Sequence, residues 1–290
     1  MAIEPECVWE VGAELGEGPV WSAEERALWF VDIKQKKIHR FEPEVGGKAS
    51  WDAPAPPGFL APKAGGGFIA GLKTGLHDFD PKTGEFVLRH AVEPDRPGNR
   101  LNDGAVDRKG RLWFGSMDDG ESKPTGRLYR LGADGPRPMD DGYVITNGPA
   151  FSPDNRVLYH TDTLARLTYA FDLSADGGIS NKRVFLRYDD GAGYPDGPAV
   201  DAEGCVWIAF FSGWGVRRYS PSGELLACVR FPCANVTKIA FAGADLKTVY
   251  ATTAWKGLSA EARKKEPLAG GLFRFTVDVP GLPQQAVLHG

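Results

Sequence analysis

Cysteine is scarce in this sequence. There are four in 290 residues (Cys7, Cys205, Cys228 and Cys233), none in a CxxC pair and none spaced with histidine as zinc requires. That argues against a disulfide framework or a structural zinc, and reduced thiols in the cytoplasm are expected. An excess of one charge is also missing. The 34 Lys+Arg against 38 Asp+Glu leave a formal net charge of -4, so nothing draws the chain to a phosphate backbone or an anionic membrane, and neither is expected as a partner. Apolar runs break every few residues, far short of the ~20 that a membrane helix needs. Glu4 and Glu6 stand where a secretory leader carries basic residues, so no export is expected. No GxSxG nucleophile turn or GxxxxGK phosphate loop occurs. The five histidines (39, 77, 90, 160 and 289) lack HxxxH or HExxH spacing. Residues 172–177 imitate the start of a calcium loop, but its twelfth position is Arg183, where a bidentate Glu is required.

Glycine and proline, by contrast, are abundant, at 37 and 22 residues, while hydrophobic residues still make up 42%. The chain is rich in turns and able to build a core. Six short apolar segments recur, centred on Trp29, Ile69, Trp113, Tyr159, Trp207 and Tyr250, with gaps of 40, 44, 46, 48 and 43 residues. That is the period of a four-stranded blade. Each is followed by a second segment of mostly alternating polarity, such as residues 38–41, 76–79 and 216–219, running into a turn. A third type precedes them, with small residues in Gly18-Pro19-Val20, Gly104-Ala105-Val106, Gly148-Pro149-Ala150 and Gly197-Pro198-Ala199. Small residues suit strands converging on a narrow axis. The pattern predicts an all-β, six-bladed β-propeller, with four-stranded antiparallel blades around a central channel and one domain over residues 1–290. Residues 7–11 are expected to close the ring by pairing into the last blade, which would end near residues 286–288. Only residues 259–265 have helical composition, and they read as a surface insertion. Trp29, Trp113 and Trp207 are expected in the core, His39 and His77 in equivalent strands, and Trp214 in a loop near the channel mouth.

Three of the small-residue motifs are led by an oxygen-bearing side chain: Glu17-Gly18-Pro19, Asn147-Gly148-Pro149 and Asp196-Gly197-Pro198. Asn102-Asp103-Gly104 is a fourth. A lone Asn-Gly or Asp-Gly is an ordinary hairpin turn. Three followed by proline, in phase with the repeat, are not, because proline after glycine does not suit a two-residue hairpin. Equivalent positions of successive blades face one axis, so Glu17, Asn147 and Asp196 are expected to converge as oxygen ligands of one divalent cation. Three protein ligands leave open positions, as a catalytic metal requires. The ligand types suit calcium, magnesium, manganese, iron(II) or zinc alike.

The chain resembles the gluconolactonase and regucalcin (senescence marker protein) family in residues 15–21 (LGEGPVW), 100–107 (RLNDGAVD), 110–117 (GRLWFGSM), 146–154 (TNGPAFSPD), 194–201 (YPDGPAVD) and 203–207 (EGCVW). These motifs are spread in order over essentially the whole chain. The resemblance implies a metal-dependent lactone hydrolase, with the cation in contexts matched by Glu17, Asn147 and Asp196. It implies further that Arg100 and Asn102 contact a sugar-like ligand and that a later acid, Asp118 or Asp119, does so too. Asp196 would then be the base that takes a proton from the attacking water. The expected substrate is an aldonolactone, such as a xylonolactone or gluconolactone, acted on by a monomer. The alternatives are a phosphotriester or aryl-ester hydrolase and a non-enzymatic calcium-binding propeller.

Overall fold

Six apolar segments, Ala27–Asp32, Phe68–Leu72, Leu112–Asp118, Val157–Asp162, Val206–Phe211 and Thr248–Thr253, are buried along nearly their whole length. A strand this apolar needs cover on both faces. In the computed structural model, which describes residues 3–288, each is the second strand of a four-stranded antiparallel sheet. The innermost strands are Gly16–Ser22, Pro57–Pro62, Asn99–Val106, Thr146–Phe151, Tyr194–Val200 and Val236–Ala242. Successive innermost strands touch, the sixth against the first, so the sheets close a ring. The expected six-bladed propeller is therefore the fold. Neighbouring blades bury their faces against one another, with Trp29, Trp113 and Trp207 in those layers. No helix of the described residues is long and apolar enough to cross a membrane.

Asp107 and Asp201 are wholly buried carboxylates at the turns between the first and second strands of their blades. Asp201 accepts from the Glu203 and Cys205 amides, both at 3.0 Å, from Trp207 Nε1 at 2.9 Å and from Arg218 Nε at 2.8 Å. Asp107 does the same with Lys109, Arg111 and Trp113. Four donors are what make a buried carboxylate tolerable.

Glu6–Trp9 supplies the outer strand of the sixth blade, beside Leu272–Thr276, so the N-terminal strand does close the ring. Two expectations need correction: Val11 lies outside that strand, and residues 286–288 do not finish the blade. The outer position is already filled, and Pro280 and Pro283 offer no ladder donors. The tail instead crosses the far end of the channel. The Gly281 amide bonds to Leu246 O, Arg108 Nη1 to Pro283 O, the Val287 amide to Pro62 O and the Leu288 amide to Gly110 O. Beneath this strap lies a narrow cavity of about 110 Å³. The helix Ala260–Lys265 is a short insertion capped by Ser259, as expected. His39 and His77 lie in equivalent third strands, opposite Phe30 and Ala70. His289 lies outside the described residues.

One irregularity repeats around the ring. Every innermost strand loses register with its neighbour near its start: between Glu17 and Val20, Pro57 and Phe59, Leu101 and Gly104, Asn147 and Ala150, Pro195 and Pro198, and Val236 and Lys238. A β-bulge re-aims the side chains around it. Here six bulges ring the same level of the channel.

Candidate active site

The bulges bring the motif residues together. Glu17, Asn102, Asn147 and Asp196 each stand three residues before the one facing a register mark: Val20 opposite Trp29, Ala105 opposite Trp113, Ala150 opposite Tyr159 and Ala199 opposite Trp207. With Arg100 they line a cavity of about 270 Å³ at the end of the channel where second strands turn into third strands. All five are 5% exposed or less. The wall is completed by Leu15, Met117, Leu164, Tyr194 and Phe211, with Glu121 and Lys256 among the lining residues. A volume just below the ~300 Å³ lower bound of drug-sized sites suits a small ring.

Local bonds fix each group. Asp32, fully buried, accepts from the Glu14 and Leu15 amides at 2.8 and 3.2 Å and so anchors the loop that delivers Glu17. Glu17 Oε2 accepts from the Gly18 amide at 3.0 Å. Arg100 Nη1 donates to Asn102 Oδ1 at 2.6 Å. Asn102 Nδ2 donates to Thr146 O at 2.6 Å and to Asn147 Oδ1 at 3.0 Å, while Asn147 Nδ2 donates to Thr163 Oγ1 at 2.9 Å. This relay orients the Asn147 amide and leaves its oxygen a second lone pair. Asp196 Oδ1 is buried without a hydrogen-bond partner. Such an orphan calls for a ligand or a role.

Electrostatics point the same way. Burial, then the nearby Asp103 carboxylate, pushes Glu17 up to about 7. Burial, then Glu17 and Asp103, pushes Asp196 well above the ordinary carboxylate range. Lys238 opposes the rise in both cases. Two acids crowded out of water hold protons unless a cation replaces them. Among the described residues, no group of three or more His, Cys, Asp or Glu is gathered for a metal. What converges instead is two carboxylates and one amide oxygen, since the third carboxylate, Asp103, is paired with Lys238. An oxygen-only donor set with one orphaned oxygen fits a divalent cation.

Neither acid left open by the sequence lines the cavity. Asp118 Oδ2 accepts from the Ser122 amide and hydroxyl and from the Lys123 amide, capping its own turn. Asp119 bonds at 3.1 Å to each of Lys34 Nζ, Lys73 Nζ and Arg100 Nε, and these cations hold it down at about 2. It therefore buttresses Arg100 from behind. Glu121 reaches the cavity, paired with Lys256. Both come from rim loops outside the repeat, so nothing in the pattern marked them. Trp214 sits on the same face, in the tight turn before Gly215–Tyr219, yet does not line the cavity.

Comparison with known proteins places these features in context. A family model described as SMP-30/Gluconolactonase/LRE-like region matches residues 15–255. A 6-deoxy-6-sulfogluconolactonase of Pseudomonas putida is 36% identical over 278 residues, covering 95% of each chain. Regucalcin of Danio rerio is 34% identical over 291 residues, covering 97% of each. Among solved structures, a calcium-binding protein, regucalcin from Agrobacterium tumefaciens, superposes with a TM-score of 0.95 at 27% identity, covering 99% of this chain and 98% of that one.

Proposed function

The chain belongs to the SMP-30/gluconolactonase/LRE-like family, and from that premise we propose that it is a metal-dependent lactonase that hydrolyses an aldonolactone to the aldonic acid. The observation that carries this reading is the meeting, on one small cavity, of Glu17, Arg100, Asn102, Asn147 and Asp196 from four blades, with one carboxylate oxygen unpartnered.

Glu17, Asn147 and Asp196 would hold one divalent cation. Bound there, a cation supplies Lewis-acid polarisation of the lactone carbonyl and offsets the negative charge that develops on its oxygen. Asp196, through the carboxylate oxygen not turned to the cation, accepts a proton from the attacking water and returns it to the departing ring oxygen, so the net change is addition of one water across the acyl C–O bond. Arg100, braced by Asp119 and Asn102, donates to the lactone's oxygens. Asn102, whose own amide groups are engaged, holds Asn147 in place and fixes the distance from Arg100 to the reacting carbon. Leu15, Met117, Leu164 and Phe211 limit water around the ring.

A finer reading of the substrate rests on the rim. Arg100 and Lys256 are the cationic side chains on the cavity wall, Lys256 paired with Glu121, while Lys34 and Lys73 meet Asp119 behind Arg100. Together with the Pseudomonas putida relative's sulfonated sugar, Lys256 on the wall favours a six-carbon lactone with an anionic group at its far end over a neutral pentonolactone. The test is a titrimetric panel of xylonolactone, gluconolactone and 6-sulfonated gluconolactone, with paraoxon and phenyl acetate as controls, run before and after chelation. We expect lactone turnover that chelator abolishes and a divalent ion restores, with the anionic lactone the most salt-sensitive. Turnover indifferent to chelator sinks metal dependence. Cation binding without any turnover favours the calcium-binding reading, and paraoxon or phenyl acetate as best substrate favours the ester-hydrolase one.

A further inference from the structure

In three of the bulges the residue just after the candidate ligand is glycine. It is Gly18, Gly148 and Gly197 in the first, fourth and fifth blades, but Asp103 in the third and Lys238 in the sixth. The third and sixth blades face each other across a six-membered ring, and their two side chains meet as a buried ion pair, 2% and 9% exposed. Gly197 makes room for the Lys238 side chain, and Gly148 for the neighbouring strand. A Cβ on Gly197 would stand 2.6 Å from Lys238 Cγ, and one on Gly148, whose φ is +90°, 2.8 Å from Pro198 Cγ. Asp103 is held firmly: Oδ1 accepts from the Gly104 amide and Oδ2 from the Gly148 amide, both at 2.7 Å. The pair thus touches the residue after Asn147 and the residue after Asp196.

We infer that Lys238 and Asp103 form an axial clamp of positioning residues that sets the cation affinity of the Glu17, Asn147 and Asp196 site, by balancing one buried charge against another just behind the ligands. Lys238 is in effect a resident monovalent cation on the axis. Remove it, and Asp103 adds an unopposed negative charge to two carboxylates; remove Asp103, and an unopposed ammonium repels an incoming cation. Even across ~10 Å in a medium of effective dielectric ~20, a unit charge shifts the binding of a divalent cation by about tenfold or more. A structural ion pair makes no such prediction, since breaking it from either side lowers stability without regard to sign.

The inference rests on the proposed metal site, and the experiment separates the two. Calcium and manganese are titrated calorimetrically into chelator-treated wild type, Lys238→Met, Asp103→Asn and the double variant, with melting temperatures read in chelator and in excess calcium. We expect wild type to take one cation. Lys238→Met should bind about tenfold more tightly and gain more melting temperature from calcium, Asp103→Asn about tenfold more weakly, and the double variant within about threefold of wild type. If wild type takes no cation, the metal reading itself fails. If wild type binds but both single variants keep its affinity, or move it the same way, the clamp is structural and the inference is overturned. Should Lys238→Met not fold, Asp103→Asn and the charge-neutral double variant still decide: weakening in the first and recovery in the second are required.

Discussion

A carboxylate buried next to another carboxylate is a liability to the empty protein and an asset to a bound cation, and Asp196 shows both sides. Asp196→Asn removes a charge that Glu17 and Asp103 oppose. It is expected to leave the melting temperature in chelator unchanged or higher while lowering kcat/KM for a lactone by about 10²–10⁴-fold. Parallel loss of stability and activity would contradict that. The histidines set a different pH limit. His160 is fully buried, packs edge-on against Tyr143 and has no partner for either ring nitrogen; burial lowers it to about 3, and lowers His39 to about 4. The unfolded chain therefore binds protons that the fold refuses. Their contribution to stability is complete above about pH 6.5 and is lost as pH falls toward 4 and then 3. Urea midpoints should drop steadily from pH 7 to pH 4, and His160→Phe should flatten the slope if the aromatic ring is accommodated; an unchanged slope would remove His160 from the account.

The element that matters most is the bulged innermost strand. In the first, third, fourth and fifth blades its position was legible, because an oxygen-bearing residue followed by Gly, Pro or a small residue in phase with the repeat has no better explanation than a strand that bends as it meets the axis. The second and sixth blades bulge too, but their Pro57-Gly58-Phe59 and Thr237-Lys238-Ile239 carry no such pattern, so Lys238 stayed hidden. Glu121 and Lys256 were illegible for another reason: loops between strands follow no period, and their meeting is made only by the closed ring. The aspartate turns are a second element-level device. Asp201→Ala would strand the Trp207 and Arg218 donors in a buried layer, and we expect a loss of about 3–5 kcal/mol in urea denaturation, with the cation affinity of the variant unchanged at temperatures where it is folded.

For the whole molecule, closure depends on strands from the two ends of the chain. Deleting residues 1–9 would expose the edge of Leu272–Thr276, and such edges recruit other chains. Size-exclusion chromatography should show oligomers or aggregate in place of the wild-type species; an unaltered profile would mean the sixth blade stands with three strands. The N-terminal half of this closure is among the expectations read from the sequence, in the pairing of residues from Cys7 onward into the last blade. The course of the C-terminal tail did not, because its anchors are backbone oxygens of Pro62, Gly110 and Leu246, invisible to any side-chain pattern. The Asp103–Lys238 pair crosses the axis between the cavity under that strap and the substrate cavity, which leaves the latter a cul-de-sac with one doorway. The ring-opened acid must back out past Arg100 and Lys256, by which its parent came in, and as a carboxylate it is held there by attraction. Turnover should slow as acid accumulates, competitively with the lactone, and added salt should hasten its departure.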